Sequence, residues 1–127
     1  AKIKFREKFR PFAPVVTEED YGTYFETLGM KNSPFMLYTH QALVDSLPAV
    51  THVNNTSRVQ TVNAEQNLFL YNIIKEHHRH SGVPVVVNTS FNLRGEPMVS
   101  TPSDALKTFL NSGIDVLFLE AYEVRKK

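Results

Sequence analysis

Three consecutive β-branched residues, Val85-Val86-Val87, run directly into the polar stretch Asn88-Thr89-Ser90-Phe91-Asn92-Leu93-Arg94-Gly95-Glu96-Pro97. An apolar β-branched run of this length fits a buried strand, and it commits the chain to a sheet whose end carries this loop. Within eight residues the loop offers two carboxamides, two hydroxyls, a guanidinium and a glycine. A turn needs fewer hydrogen-bonding groups than that. Loops at strand ends are where a rigid sheet usually presents ligand-binding groups.

The segments around this strand alternate between helical and extended signals. Leu68, Tyr71, Ile74 and Lys75 recur at helical spacing within Glu65 to His80, and Gly82 with Pro84 closes the run. Upstream, Phe12 to Val16 reads as a strand. Thr17-Glu18-Glu19-Asp20-Tyr21 reads as the cap and acidic first turn of a helix over residues 18–26. Phe35 to Tyr38 suits a strand, and the apolar runs 49–53 and 58–62 flank a loop at Asn54-Asn55-Thr56. Downstream, Thr101-Pro102-Ser103-Asp104 opens a helix that points Ala105, Phe109 and Leu110 inward and stops at Gly113. Strands follow at 115–119 and 121–124. At the start of the chain, Phe5 and Phe9 with their basic neighbours suit a helix ending near Lys8, because Pro11 forbids its continuation. The expected class is α+β, a mixed α/β chain with a mixed sheet flanked by helices. At 127 residues and 42% hydrophobic it forms one domain over residues 1–127.

The absence of cysteine excludes disulfides, thiol catalysis and thiolate metal sites. A net charge of +1 supplies no broad field for nucleic acid or an anionic membrane. No apolar run is long enough to span a bilayer, and the basic start lacks the apolar core of a signal peptide, so the expected location is the cytoplasm. The chain begins Ala1-Lys2-Ile3-Lys4-Phe5, without methionine or a helix cap, as a fragment of a longer polypeptide would.

Several residues could carry chemistry. Lys8 and Arg10 combine a compact cation with a planar fork that grips phosphate or carboxylate, although a solvated basic face explains them equally well. Arg58 and Gln60, two apart on a strand, would share a face and could meet one ligand; an ordinary exposed strand is the alternative. Ser90 could be a nucleophile, but no Gly-x-Ser-x-Gly elbow surrounds it, and a phosphate or backbone ligand fits its place better. Asn92 does not titrate and can act only by hydrogen bonding, either to a ligand or in stitching the loop together with Asn88. Arg94 is a further anion ligand, and Glu96 an ion-pair partner for it rather than a general base. His77, His78 and His80 do not converge on one helix face and sit beside Lys75 and Arg79, so no metal site is expected there. No phosphate-binding glycine loop of the Walker type occurs.

Taken together, Lys8-Phe9-Arg10-Pro11-Phe12-Ala13-Pro14, His52-Val53-Asn54-Asn55-Thr56-Ser57-Arg58-Val59-Gln60-Thr61-Val62 and Asn88 to Pro97 resemble, in that order, the C-terminal region of O-carbamoyltransferases of the nodulation and antibiotic-biosynthesis type. The likeness extends through Thr101 to Ala105 and covers essentially the whole chain. It implies part of a YrdC-like domain, in which a lysine, arginine, serine and asparagine set binds ATP and carbamoyl phosphate and forms carbamoyl-adenylate. Lys8, Arg10, Ser90 and Asn92 occupy the matching positions, with Arg58 and Arg94 as additional phosphate ligands. The implied cofactor is ATP with Mg²⁺, with no metal held tightly by this fragment. The implied partner is a larger N-terminal domain that moves the carbamoyl group to an acceptor hydroxyl. A fragment of this kind would be inactive alone and would self-associate through uncovered apolar surface. A non-catalytic nucleotide-binding or subunit-docking module is the alternative. Where a relative would carry aspartate-glycine, this chain has Asn54-Asn55.

Overall fold

A computed structural model describes residue 3 and residues 12–127, so the helix expected to end near Lys8 lies outside the described residues. Residues 12–89 pack as one unit, and residues 90–127 with residue 3 pack as another.

In the first unit the strand expected at 12–16 forms as β1, Ala13–Thr17, with all five residues buried. It lies between β4, Gln60–Val62, which runs parallel to it, and β5, Val85–Asn88, which runs antiparallel. Successive side chains of a strand point to opposite faces, and β1 therefore feeds two clusters. Val15 joins Val62, Ile74, Leu70 and Val86 on the face covered by α2, Leu68–Ser81. Val16 joins Tyr21, Phe25, Val59 and Val85 on the other. Pro14 has no N–H to give a ladder, and the pairing with β4 begins one residue later, at Val15.

Helix α2 starts and stops as its sequence dictates. The Asn67 side chain accepts from the Leu70 N–H (3.0 Å), and Gly82 takes the left-handed conformation (φ 76°) that closes the last turn. Its inward stripe runs through Leu70 and Ile74, which leaves Leu68 on the solvent side.

Three extended or helical expectations give way locally. The helix expected over 18–26 is reduced to α1, Tyr21–Tyr24. Thr17 stays in β1 and its hydroxyl donates to Asp20 Oδ2 (2.7 Å), while the Glu18 N–H donates to the Val62 carbonyl (3.0 Å) and prolongs the sheet. Phe25 is already extended and bridges to Ala42. Phe35 to Tyr38 forms no strand, because Met36 adopts a positive φ of 54°. The 49–53 run turns instead of pairing. Asn55 has φ 60° and its N–H donates to the His52 carbonyl, in the left-handed region that asparagine tolerates best after glycine. The chain then enters β3, Thr56–Ser57, which pairs with β2, His40–Gln41. Buried beneath these, Tyr21 Oη and His40 Nδ1 share a hydrogen bond of 2.9 Å with their rings edge to face. Burial raises the pKa of the Tyr21 phenol.

The second unit carries α3, Pro102–Leu110, followed by the hairpin of β6, Val116–Leu119, and β7, Tyr122–Arg125. The Thr101 hydroxyl accepts from the Asp104 N–H, and the Asp104 carboxylate accepts from the Thr101 N–H, a reciprocal capping box. Ala105, Thr108 and Phe109 are buried, whereas Leu110, expected to face inward, is exposed. Lys126 Nζ lies 5.1 Å from the centre of the Phe109 ring and donates to the Ser112 carbonyl, tying the end of β7 to the end of α3. The chain is thus α+β, with mixed strand directions in its main sheet. No helix among the described residues is long and apolar enough to cross a membrane.

Two consequences can be measured by chemical denaturation. Ile74→Ala leaves a hole between α2 and the sheet and should lower stability by about 2–5 kcal/mol. Thr101→Ala removes the α3 cap and should cost about 1 kcal/mol. The bond from the Thr101 hydroxyl holds the Asp104 carboxyl below its ordinary pKa. That contribution is present above the ordinary value and is lost as pH falls through the lowered one. Acidification should therefore fray the start of α3, as amide exchange will report, and Asp104→Asn should abolish this pH dependence.

Candidate anion-binding site

The strand-end loop begins in the first unit with Asn88. Paired residues of neighbouring strands share a face, and Ala13 pairs with Asn88 while Val15 pairs with Gln60. The small Ala13 leaves room for the two carboxamides to meet across β1. Asn88 Nδ2 donates to Gln60 Oε1 (2.6 Å) and also reaches Met36 Sδ (3.8 Å). Gln60 Nε2 donates in turn to the Pro34 carbonyl (3.2 Å). Asn88 thereby stitches the sheet edge to the 34–36 segment.

Arg58 lies between β3 and β4 rather than within a strand, and it is exposed. The carboxamide of Gln60 is engaged by Asn88 and Pro34. The Arg58 guanidinium is a fork of donors on an exposed residue.

In the second unit, residues 90–99 close on themselves. The Ser90 hydroxyl donates to Asn92 Oδ1 (2.7 Å), and Asn92 Nδ2 donates to the Glu96 carbonyl (2.8 Å). The Glu96 N–H donates to the Leu93 carbonyl (3.1 Å), and the Leu93 N–H donates to Glu96 Oε2 (3.2 Å). Gly95 takes φ 80° at the third position of this turn, where a residue with a side chain would be strained. The Val99 N–H donates to the Phe91 carbonyl (3.1 Å) and seals the base. Ser90 and Arg94 are exposed on this closed loop and Asn92 is half-buried.

One expectation changes in detail. Glu96 fastens the loop by accepting the Leu93 N–H, a structural bond rather than the expected pairing with Arg94. Asn88 stitches the sheet through Gln60, and Asn92 stitches the loop through the Glu96 carbonyl, the second of the two roles expected for them. The Ser90 hydroxyl has a single proton, and Asn92 Oδ1 takes it; a phosphate oxygen approaching Ser90 would compete for that proton. Lys8 and Arg10 lie outside the described residues.

Of the α2 histidines, His80 joins a surface hydrogen-bonded group with Glu76 and Arg79. Glu76 accepts from Arg79 (2.6 Å) and lies 2.9 Å from His80 Nε2, and these contacts, Arg79 first, pull its carboxyl down to about 2. Among the described residues no group of three or more His, Cys, Asp and Glu is arranged to hold a metal ion. The part of the structure that sequence reasoning missed is the 33–36 segment. Its contacts join residues more than twenty positions apart, which periodicity within a segment does not reveal.

Comparison with known proteins accounts for these motifs together. Residues 1–126 match the family model described as the carbamoyltransferase C-terminus. Nodulation protein NolO of Bradyrhizobium diazoefficiens is 39% identical over 131 residues, covering 100% of this chain and 24% of that protein. The 3'-hydroxymethylcephem-O-carbamoyltransferase of Amycolatopsis lactamdurans is 38% identical over 114 residues, covering 89% of this chain and 22% of the relative. An uncharacterised protein, sll1178, of Synechocystis is 38% identical over 148 residues, with 98% and 24% covered. The chain spans about a quarter of the length of the curated relatives it matches. It belongs to the carbamoyltransferase C-terminal family.

Proposed function

We propose that this chain supplies the nucleotide-handling part of an O-carbamoyltransferase, binding ATP and carbamoyl phosphate to form carbamoyl-adenylate. The observation that carries the reading is the family match over residues 1–126, which spans all six candidate anion ligands. One named relative is an O-carbamoyltransferase. The YrdC-like character of the domain and a cytoplasmic location belong to the same reading.

In this mechanism Lys8 and Arg10 bind the phosphates of both substrates and offset the repulsion between two anions. Arg58 and Arg94 add guanidinium forks for further phosphate oxygens. Ser90 donates its hydroxyl proton to a phosphate oxygen in exchange for Asn92 Oδ1, with Asn92 held in place by its bond to Glu96. Water cleaves carbamoyl phosphate to carbamate and phosphate, its protons leaving on the phosphate; a carbamate oxygen then attacks the α-phosphorus of ATP, and pyrophosphate leaves. In that second step the attacking group is already an anion, so it requires no general base. Mg²⁺ enters with ATP as the counter-ion of its phosphates, and no protein carboxylates are assigned to it. Transfer to an acceptor hydroxyl falls to residues outside these 127.

The assay is carbamoyl-phosphate-dependent release of pyrophosphate by the intact protein. Lys8→Ala, Arg10→Ala and Ser90→Ala should each lower the rate on the order of a hundredfold, as the loss of one preorganised oxyanion-type donor does. Unchanged rates in all three variants would sink the assignment.

A further inference from the structure

The 32–38 segment combines two properties that seldom coincide. It is anchored to the sheet by a series of hydrogen bonds, yet it holds three large apolar side chains out to water. The Ser33 hydroxyl donates to the Val59 carbonyl (3.1 Å), and the Ser33 N–H donates to Thr61 Oγ1 (2.8 Å). The Thr61 N–H donates back to the Ser33 carbonyl (3.0 Å). Gln60 Nε2 fastens Pro34, and Asn88 Nδ2 reaches Met36. On this frame Phe35 is 74% exposed, Leu37 73% and Tyr38 54%. Met36 between them adopts a positive φ of 54°, a conformation that L side chains rarely take and that persists only where surroundings enforce it.

The segment walls an open cleft of about 260 Å³ lined by Asn32, Ser33, Pro34, Phe35, Leu37 and Tyr38. That volume accommodates one planar heteroaromatic ring system. The walls are largely apolar and aromatic, and Asn32 among them brings a carboxamide, whose amino group donates and whose carbonyl accepts. An aromatic platform with a single carboxamide is the arrangement that holds a purine base, by stacking on its face and pairing with its edge. One candidate phosphate ligand belongs to the same unit and adjoins the frame of the cleft: Arg58 immediately precedes the Val59 whose carbonyl holds Ser33.

We infer that the Asn32–Tyr38 cleft seats the base of the nucleotide, with Phe35 and Tyr38 as the stacking surface and Asn32 as the residue that reads the base edge. This rests on the nucleotide reading given above and names the residues that would make it specific for a purine. It also gives the frame a purpose, since a ring platform has to be rigid before the ligand arrives.

The test is titration calorimetry on the intact protein with ATP, with CTP and with inorganic tripolyphosphate. Wild type should prefer ATP to CTP. Phe35→Ala and Tyr38→Ala should each weaken ATP by about tenfold or more while leaving tripolyphosphate within twofold of wild type. Asn32→Ala should narrow the preference for ATP over CTP. ATP affinity unchanged in all three variants overturns the inference but leaves the nucleotide reading intact. Equal weakening of ATP and tripolyphosphate also overturns it, since that pattern belongs to a structural or partner-docking role. Wild type that binds neither ATP nor tripolyphosphate removes the nucleotide reading and this inference together.

Discussion

Burial of β1 on both faces is the constraint from which the first unit follows. A strand with five buried residues cannot end in water on either side, so Val15 requires α2 above it and Val16 requires the Tyr21–Phe25 cluster below. Its ladders also fix the edges. With β4 parallel on one side and β5 antiparallel on the other, a slip of one residue would turn every valine to the wrong cluster. The same register brings Gln60 and Asn88 to one face, where their carboxamides meet across β1. The register therefore fixes Asn88, the first residue of the strand-end loop, whose side chain is spent on holding the sheet edge.

The loop that follows resolves the same tension in another way. Ser90, Asn92, Leu93 and Glu96 hydrogen-bond to one another. Bonds of this kind order a loop in advance. In the proposed reading a phosphate oxygen would exchange with Asn92 Oδ1 at the Ser90 proton, an exchange that favours a charged oxygen.

Elements with strong local signals were legible in the sequence. The Gly82 end of α2, the Thr101 start of α3, the Val85 strand and the β6–β7 strands each rest on neighbours within a few residues. The failures have one physical origin, which is competition from distant partners. Val62 captures the Glu18 N–H and shortens α1, and β4 captures Ser33 and draws the Phe35–Tyr38 run out of any ladder. The candidate site divides in the same way. Its residue types were readable from chemistry, and the closed hydrogen-bonding of residues 90–96 is local enough to follow from Gly95 and the Asn/Ser content. The bridge from Asn88 to Gln60 and Met36 was not readable, since it depends on which strands become neighbours.

The strand order β4-β1-β5 also has a consequence for how the chain acquires its shape. The central strand is the first to be synthesised, and both of its partners are encoded far downstream of it. Loop closure on that scale must precede any reward from pairing, so this sheet belongs to the slow-forming, high-contact-order kind. Until Val85 to Asn88 leave the ribosome, β1 lacks its antiparallel partner. Local helices such as α2 can form meanwhile, and the nascent segment around β1 is the stretch most in need of protection from aggregation.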